Sequence, residues 1–444
     1  MMQTQDLDPE GLRTLFSDAK TLVTDNLLKS PSTGVDMKLR RRREEAEFGG
    51  MRPQLGHSIS SSNHEADNRA AWKLSGAMDK SLSMIQSGLQ SILSKNTDRA
   101  DYLKVVMQHY RFLVSFLLNV IDDDDLEVKI KGYEILQLLC TILLQAFPSK
   151  DLEMGTNRVA VETVKIFIQN NIISVFIEAL QPGLYNYLPL NSSLSVQAHA
   201  NSDLLTLLNQ TYTVLNLLFR LQGFANHKLV NTNARPNSKN DYNTLVGENL
   251  LIQGVFRSLP LAINDTSKTD EGVVLQSENE FLPLETISCL LSHMETIILD
   301  LNEYTYLYLH KFVISLNSVI SSPSIFFLNR KNTQRDVIVC QALTVYGLLI
   351  ERLWLKIAMH RYDILGGLLL MIQLYYSMAD VDSVSPEVMS LSKDIVQLLE
   401  VLSPGKPVDR IAECKKVVDS LERLDSYKKA QVCQSVRELL GVSE

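Results

Sequence analysis

The sequence predicts an all-α fold, an α-solenoid of degenerate HEAT/armadillo-like helical repeats. Three observations predict it. Apolar residues recur at helical spacing along most of the chain, and no run alternates as a strand would. The 444 residues exceed the roughly 250–300 that one core supports. Expected helix starts at 283, 303, 336, 359 and 386 give helix pairs of roughly 50 residues, near the 40–47 of HEAT and armadillo units.

Taken in order, the segments read as follows. Residues 1–30 hold an N-terminal helix, Pro9 to Leu28, with Leu12, Leu15, Phe16, Ala19, Leu22 and Val23 on one face and Pro9 early in the first turn. Residues 31–70 carry Ser, Asn, Gly and charge, too little apolar surface to offset ordering, and read as a disordered linker. Residues 71–222 form an N-terminal helical-repeat region. Its first stripe starts at Trp72. The second, behind a cap at Asp98 or Asp101, includes Tyr102, Val105, Val106, His109, Phe112, Leu113, Phe116 and Leu117. A third helix runs from Leu126 to Ala146, a fourth from Val159 to Leu180, and a fifth from a cap at Ser202 to Leu221.

Residues 223–281 read as a loop-rich connection with a short helix, Leu245 to Leu259, broken by Pro260. Residues 282–403 form a C-terminal helical-repeat region with helices at Pro283–Leu301, Glu303–Ile320, Asp336–Leu353, Met359–Met378 and Pro386–Leu402. Within it Tyr304, Tyr306 and Tyr308 alternate, but their apolar neighbours restore a helical reading that turns one tyrosine outward as a partner anchor. Residues 404–444 supply two capping helices, Val408–Leu424 and Ser426–Leu440.

Composition narrows the function. A net charge of −8 and a pI near 5.6 argue against a dedicated nucleic-acid binder. The five cysteines at 140, 289, 340, 414 and 433 form no C-x-x-C pair and read as free thiols of a reducing compartment. The N-terminus has no apolar signal core. The apolar runs 204–219, 337–350 and 364–379 fall short of a bilayer span and read as core helices.

No phosphate-binding glycine loop and no nucleophile elbow is present. His57, His64, His109, His293, His310 and His360 lack metal-ligand spacing. The carboxylates Asp122–Asp125 lack the alternation and glycine of a calcium loop. They fit helix-start acids favoured by the dipole, with Asp124 or Asp125 as cap. Lys129 stands one turn after Asp125. Gly132, in a helix interior, marks close approach of a neighbouring helix. No catalytic residue, cofactor site or metal site is expected. The run Lys38, Arg40, Arg41, Arg42 and Arg43 fits a nuclear-import signal as well as a solvated charge run, which places the protein in cytoplasm and nucleus.

Asp122, Asp123, Lys129, Lys131 and Gly132, followed by Leu136 and Leu139, resemble the "D-D…K-x-[KR]-G…L-L" segment of the second Tel-two-interacting protein (Tti-two) family, subunits of the Triple-T (TTT) complex. Asn171 to Leu180, then Pro182, Leu184 and Leu188 to Leu190, are similar to the family's next motif. Leu353-Trp354-Leu355-Lys356-Ile357, His360 and Ile364-Leu365 are similar to its "C-W-P-R-I…H…I-L" segment, with Leu355 in place of Pro. The likeness spans about residues 100–375 and marks a divergent, fungal member.

The resemblance implies a non-enzymatic scaffold that binds the Tti-one subunit, which carries Tel-two. That complex works with the ninety-kilodalton heat-shock chaperone and its AAA+ cochaperone assembly. Together they mature phosphatidylinositol-kinase-related kinases, which serve the DNA-damage checkpoint, telomere maintenance and nutrient signalling. The same proteins occur in the chromatin-associated ASTRA complex. Trp354, Lys356, His360 and Arg361 are the expected partner-binding residues, with core packing as the other reading of Trp354. Two other classes compete: a helical-repeat adaptor in nuclear transport or vesicle tethering, and a metal-dependent enzyme built on Asp122–Asp125.

Overall fold

A computed structural model describes residues 7–27, 76–94, 99–123, 125–145, 166, 171–184, 198–229, 242–265, 282–327, 332–377, 384–401 and 426–440. Among these residues every regular element is helical and none is a strand. The fold is all-α, built from degenerate helical repeats of the α-solenoid class. It divides into two compact units, Met1–Gly183 with Thr206–Tyr242, and Leu184–Leu205 with Asn243–Glu444.

The first unit contains α1 (Pro9–Leu27), α2 (Ala77–Ser94), α3 (Arg99–Ile121), α4 (Leu126–Gln145), α5 (Ile172–Leu180) and most of α6 (Ala198–Leu229). Helix α1 packs on α2 and α3, α4 packs on the same two helices, and α5 packs on α3. Leu12, Phe16, Ala19 and Val23 are buried, so the stripe read on α1 is its contact face. The stripes of α3 and α4 are likewise buried, with Val105, Val106, Leu113, Phe116, Leu136, Leu139 and Leu143 inside.

Several helix ends differ from expectation. Asn171 adopts a left-handed φ of 53°, so the regular helix before Gln181 begins at Ile172. Ser202 lies inside α6 rather than capping it, and α6 continues to Leu229, through residues read as the start of a loop. Trp72, Asp98, Asp124, the Lys38–Arg43 run and Val408–Leu424 lie outside the described residues.

The second unit opens with a short turn of helix, Tyr242–Leu245, and a π-helical segment, Val246–Val255, which runs into α7 (Phe256–Asp265). Pro260 is inside α7 and does not end it. It sits on an exposed face of the helix. Within the π-helical segment Gly247 lies against Tyr308, and any side chain there would occupy the phenol's place.

Next come α8 (Leu282–Leu301), a 3-10 segment Asn302–Tyr308, α9 (Leu309–Ile320), α10 (Pro323–Phe327) and α11 (Asn332–Ile357). A 3-10 turn Ala358–His360 leads into α12 (Arg361–Ser377), and α13 (Pro386–Val401) and α14 (Ser426–Leu440) follow. Helices α8, α11 and α13 pack in one row; α9, α12 and α14 pack in a second; α9 bridges to α11 and α13 to α14. Each helix therefore touches its counterpart in the next pair, as stacked repeats require. The stretch Gln334–Ser377 is long and apolar enough to cross a bilayer, yet half of its apolar window is buried inside the unit. It is two helices joined at a break.

Burial also shapes titration. Cys140 is fully buried and its thiol is pushed far up; desolvation raises Cys289 to about 12. His293 on α8 is pushed down to about 4 by desolvation. The unfolded chain binds a proton at this site below 6.5, and the folded chain only near 4, so stability falls as pH drops through that window. The expected loss is of order 1–3 kcal/mol for this site. The melting difference between wild type and His293→Leu, compared at pH 7 and pH 5, isolates it from the carboxylates: acid destabilises the wild type more.

Candidate functional site

Two places in the structure gather the residues that the sequence singled out. The first is the turn between α3 and α4. Asp123 is buried, and its carboxylate accepts the Asp125 N–H at 2.8 Å. Asp125 caps α4: its Oδ1 accepts the Glu127 N–H at 3.0 Å, and its carbonyl accepts the Lys129 N–H at 3.0 Å. The carboxylate is thus spent on the helix end rather than on Lys129. Lys131 reaches Asp79 of α2 at 3.2 Å. No group of three or more His, Cys, Asp or Glu among the described residues is placed to hold a metal ion.

Gly132 has the role expected of it. A methyl group there would stand 2.6 Å from Val120 Cγ1, on the last turn of α3. Gly132→Ala is expected to lower stability by about 1 kcal/mol, since overpacking outweighs the gain in helix propensity. Adding Val120→Ala frees that space, so the two changes should couple favourably when measured by urea denaturation.

The second place is a pair of adjoining corners in the second unit. One corner is the 3-10 segment after α8, entered through Asn302 at a left-handed φ of 48°. The other begins at Leu353, whose φ of −118° and ψ of 24° interrupt α11, and runs into α12. This break exists without the proline of the family motif.

Contacts knit the corners together. Arg352 Nη1 donates to Asn302 Oδ1 at 3.4 Å. Lys356 Nζ stands 3.5 Å from the centroid of the Tyr306 ring. The His360 ring stacks on His310 at 5.6 Å, and its Nδ1 lies 3.0 Å from Asp363 Oδ2. In the next turn Asn317 Nδ2 donates to the Asp363 carbonyl at 2.9 Å and lies against Gly367, where any side chain would collide.

The predicted partner-binding residues are divided by this geometry. Trp354 is 52% exposed, which sets aside the reading of it as core. Lys356 is exposed and His360 half-buried. Arg361 is only 8% exposed; it stacks on Tyr362 and donates to that phenol at 2.6 Å. It shapes the corner from beneath and is withdrawn from direct contact. Two of the three alternating tyrosines, Tyr304 and Tyr306, face outward rather than one, because a 3-10 turn has three residues instead of 3.6. Leu307, Leu355 and Met359 were not singled out by sequence and are exposed.

No curated protein matches the chain. Two solved structures resemble it at low similarity. The crystal structure of SYS-1 has 13% identity and a TM-score of 0.36, and the match covers 97% of this chain and 63% of that one. The crystal complex of SYS-1/POP-1 has 12% identity and a TM-score of 0.34, with the same coverage. The chain therefore spans about 63% of the length of those structures. The Tti2 family model matches residues 12–327, taking in the acidic turn, Gly132 and the first corner and ending before the second. The chain belongs to the Tti2 family, a membership that supports a role in the TTT complex in general and points to a non-catalytic protein.

Proposed function

We propose that this chain is a scaffold subunit of the TTT complex and that it holds the Tti-one subunit on the two adjoining corners. One observation carries the choice of surface. Of the fourteen large hydrophobic side chains exposed among the described residues, eight lie at these corners or on the adjacent helix turns. Apolar surface concentrated in this way marks a site covered by another protein. Aromatic side chains with a polar tip, such as Tyr304, Tyr306 and Trp354, are the residue types that anchor such contacts.

Through Tti-one the chain would join Tel-two, the ninety-kilodalton heat-shock chaperone and its AAA+ cochaperone assembly. It would then act as a chaperone cofactor in the maturation of phosphatidylinositol-kinase-related kinases. Such a role needs no active site. It needs a stable interface, of about 2,000 Å² or more for a permanent subunit. We place this work in cytoplasm and nucleus, with Lys38 and Arg40–Arg43 as the import signal. A fluorescent reporter with and without Arg40–Arg43 checks that point.

Gentle affinity purification of the tagged full chain, read by mass spectrometry, tests the main reading. Tti-one and Tel-two should be recovered in near-stoichiometric amounts. Recovery of the chain without Tti-one ends it.

A further inference from the structure

We propose that the seam between the two corners receives carboxylates carried on an apolar helix of the partner. This rests on the reading above and adds the chemistry of what docks. Arg352, Lys356 and His360 follow one another at four-residue spacing, and each meets a residue 50 positions earlier: Asn302, Tyr306 and His310. Two successive repeats are therefore joined by a ladder of equivalent positions, and its later side carries the cations Arg352 and Lys356 beside His360.

The cations are held but not neutralised. Among the described residues, exposed Arg13 and Lys104 and half-buried Lys131 and Lys393 each pair with a carboxylate. Arg352 and Lys356 pair with an amide and an aromatic ring instead. Both contacts fix a long side chain without cancelling its charge, so less rotamer entropy is lost when a carboxylate arrives. Exposed acids are close in sequence, Glu303 and Glu351, with Asp363 committed to His360.

Exposed Trp354, Leu355 and Met359 share the corner with these cations, and Tyr304 and Leu307 belong to the facing one. The chain as a whole carries −8, and Arg352 and Lys356 are the seam's points of complementarity to an acidic ligand. Nucleic acid is the poorer fit, since so few cations release few counterions from a phosphate backbone. A helix carrying Glu or Asp one turn apart, about 5.4 Å, beside an apolar stripe matches the four-residue spacing of the ladder.

The test compares the full-length wild type with Arg352→Glu/Lys356→Glu, and both are melted alongside because the reversal also removes the contacts to Asn302 and Tyr306. One arm measures affinity for purified Tti-one. The other uses a stapled helix with leucines on one stripe and glutamates one turn apart, its glutamate-to-lysine counterpart, and polyuridylate. The wild type should bind Tti-one and the acidic helix roughly tenfold or more tightly than the reversed variant does. The preference should fade as salt rises. If Tti-one binds wild type and variant alike, the inference is overturned and the scaffold reading stands. If Tti-one binds neither, the scaffold reading fails and the peptide decides the inference. Equal binding of acidic and basic helices, or tighter binding of polyuridylate, overturns it.

Discussion

Asp336→Ala is expected to lower the unfolding free energy by about 3–5 kcal/mol. The reason lies one residue earlier. Arg335 is 2% exposed, and its guanidinium is stacked between the rings of Phe326 at 5.7 Å and Tyr375 at 4.6 Å. Asp336 Oδ1 accepts the Arg335 Nε–H at 2.9 Å and the Tyr375 hydroxyl at 2.6 Å. Burial and this carboxylate both hold the Tyr375 phenol in its protonated form, far above its ordinary range. Removing the carboxylate takes the Asp336 contact from a buried cation and the acceptor at 2.6 Å from a buried phenol. Arg335→Met keeps the bulk, removes the charge, and leaves Asp336 to accept from Tyr375. Its expected cost is therefore smaller, about 1–2 kcal/mol. Urea denaturation of both variants measures the ordering. Equal, small losses would mean that water reaches the guanidinium and that the pair is not the tie between α10, α11 and α12.

The same cluster illustrates what the sequence could and could not convey. The stripes of α1, α3 and α4 are read directly, because a helix that buries one face must repeat its apolar residues at 3.6. The cap at Asp125 and the glycine at 132 are equally legible, since each satisfies a local rule of helix ends or helix contact. Breaks are harder. Asn171 and Asn302 turn left-handed, but asparagine does so only where the surrounding packing requires it. Ser202 carries a capping side chain and nevertheless lies inside α6, four residues after its start at Ala198. Arg335 gives no sign in the sequence that its charge is buried.

At the corners, the family resemblance singles out Trp354, Lys356 and His360 but leaves the two corners separate. The missing signal was the repeat itself. With helix pairs of roughly 50 residues, the offsets from 306 to 356 and from 310 to 360 already set aromatic and cationic residues at equivalent positions. Arg361 is buried for a geometric reason. The interruption at Leu353 and the 3-10 turn at Ala358–His360 shift the helical phase, which carries Arg361 inward and leaves Met359 78% exposed.

Trp354→Ala should weaken binding of Tti-one by about 2–4 kcal/mol, roughly 30- to 1,000-fold in Kd. Trp354 follows the interruption at Leu353, whose own side chain is buried, so the backbone break turns the indole away from the core. A half-exposed tryptophan is both a contact surface and a partial packing group, and the two roles need separation. Leu355, at 74% exposure, and Met359 provide it. Their truncation to alanine removes almost no buried area, so melting should stay within about 0.5 kcal/mol of wild type. Binding should still fall if they line the interface, by about 1 kcal/mol each. Calorimetric titration of Tti-one into each variant, beside thermal melts, gives both quantities. Loss of affinity in all three with melting preserved in the two more exposed ones assigns the corner to the partner. A Trp354→Ala variant that melts early and binds weakly, beside Leu355→Ala and Met359→Ala variants that bind as wild type, would make the indole a packing residue and move the interface elsewhere.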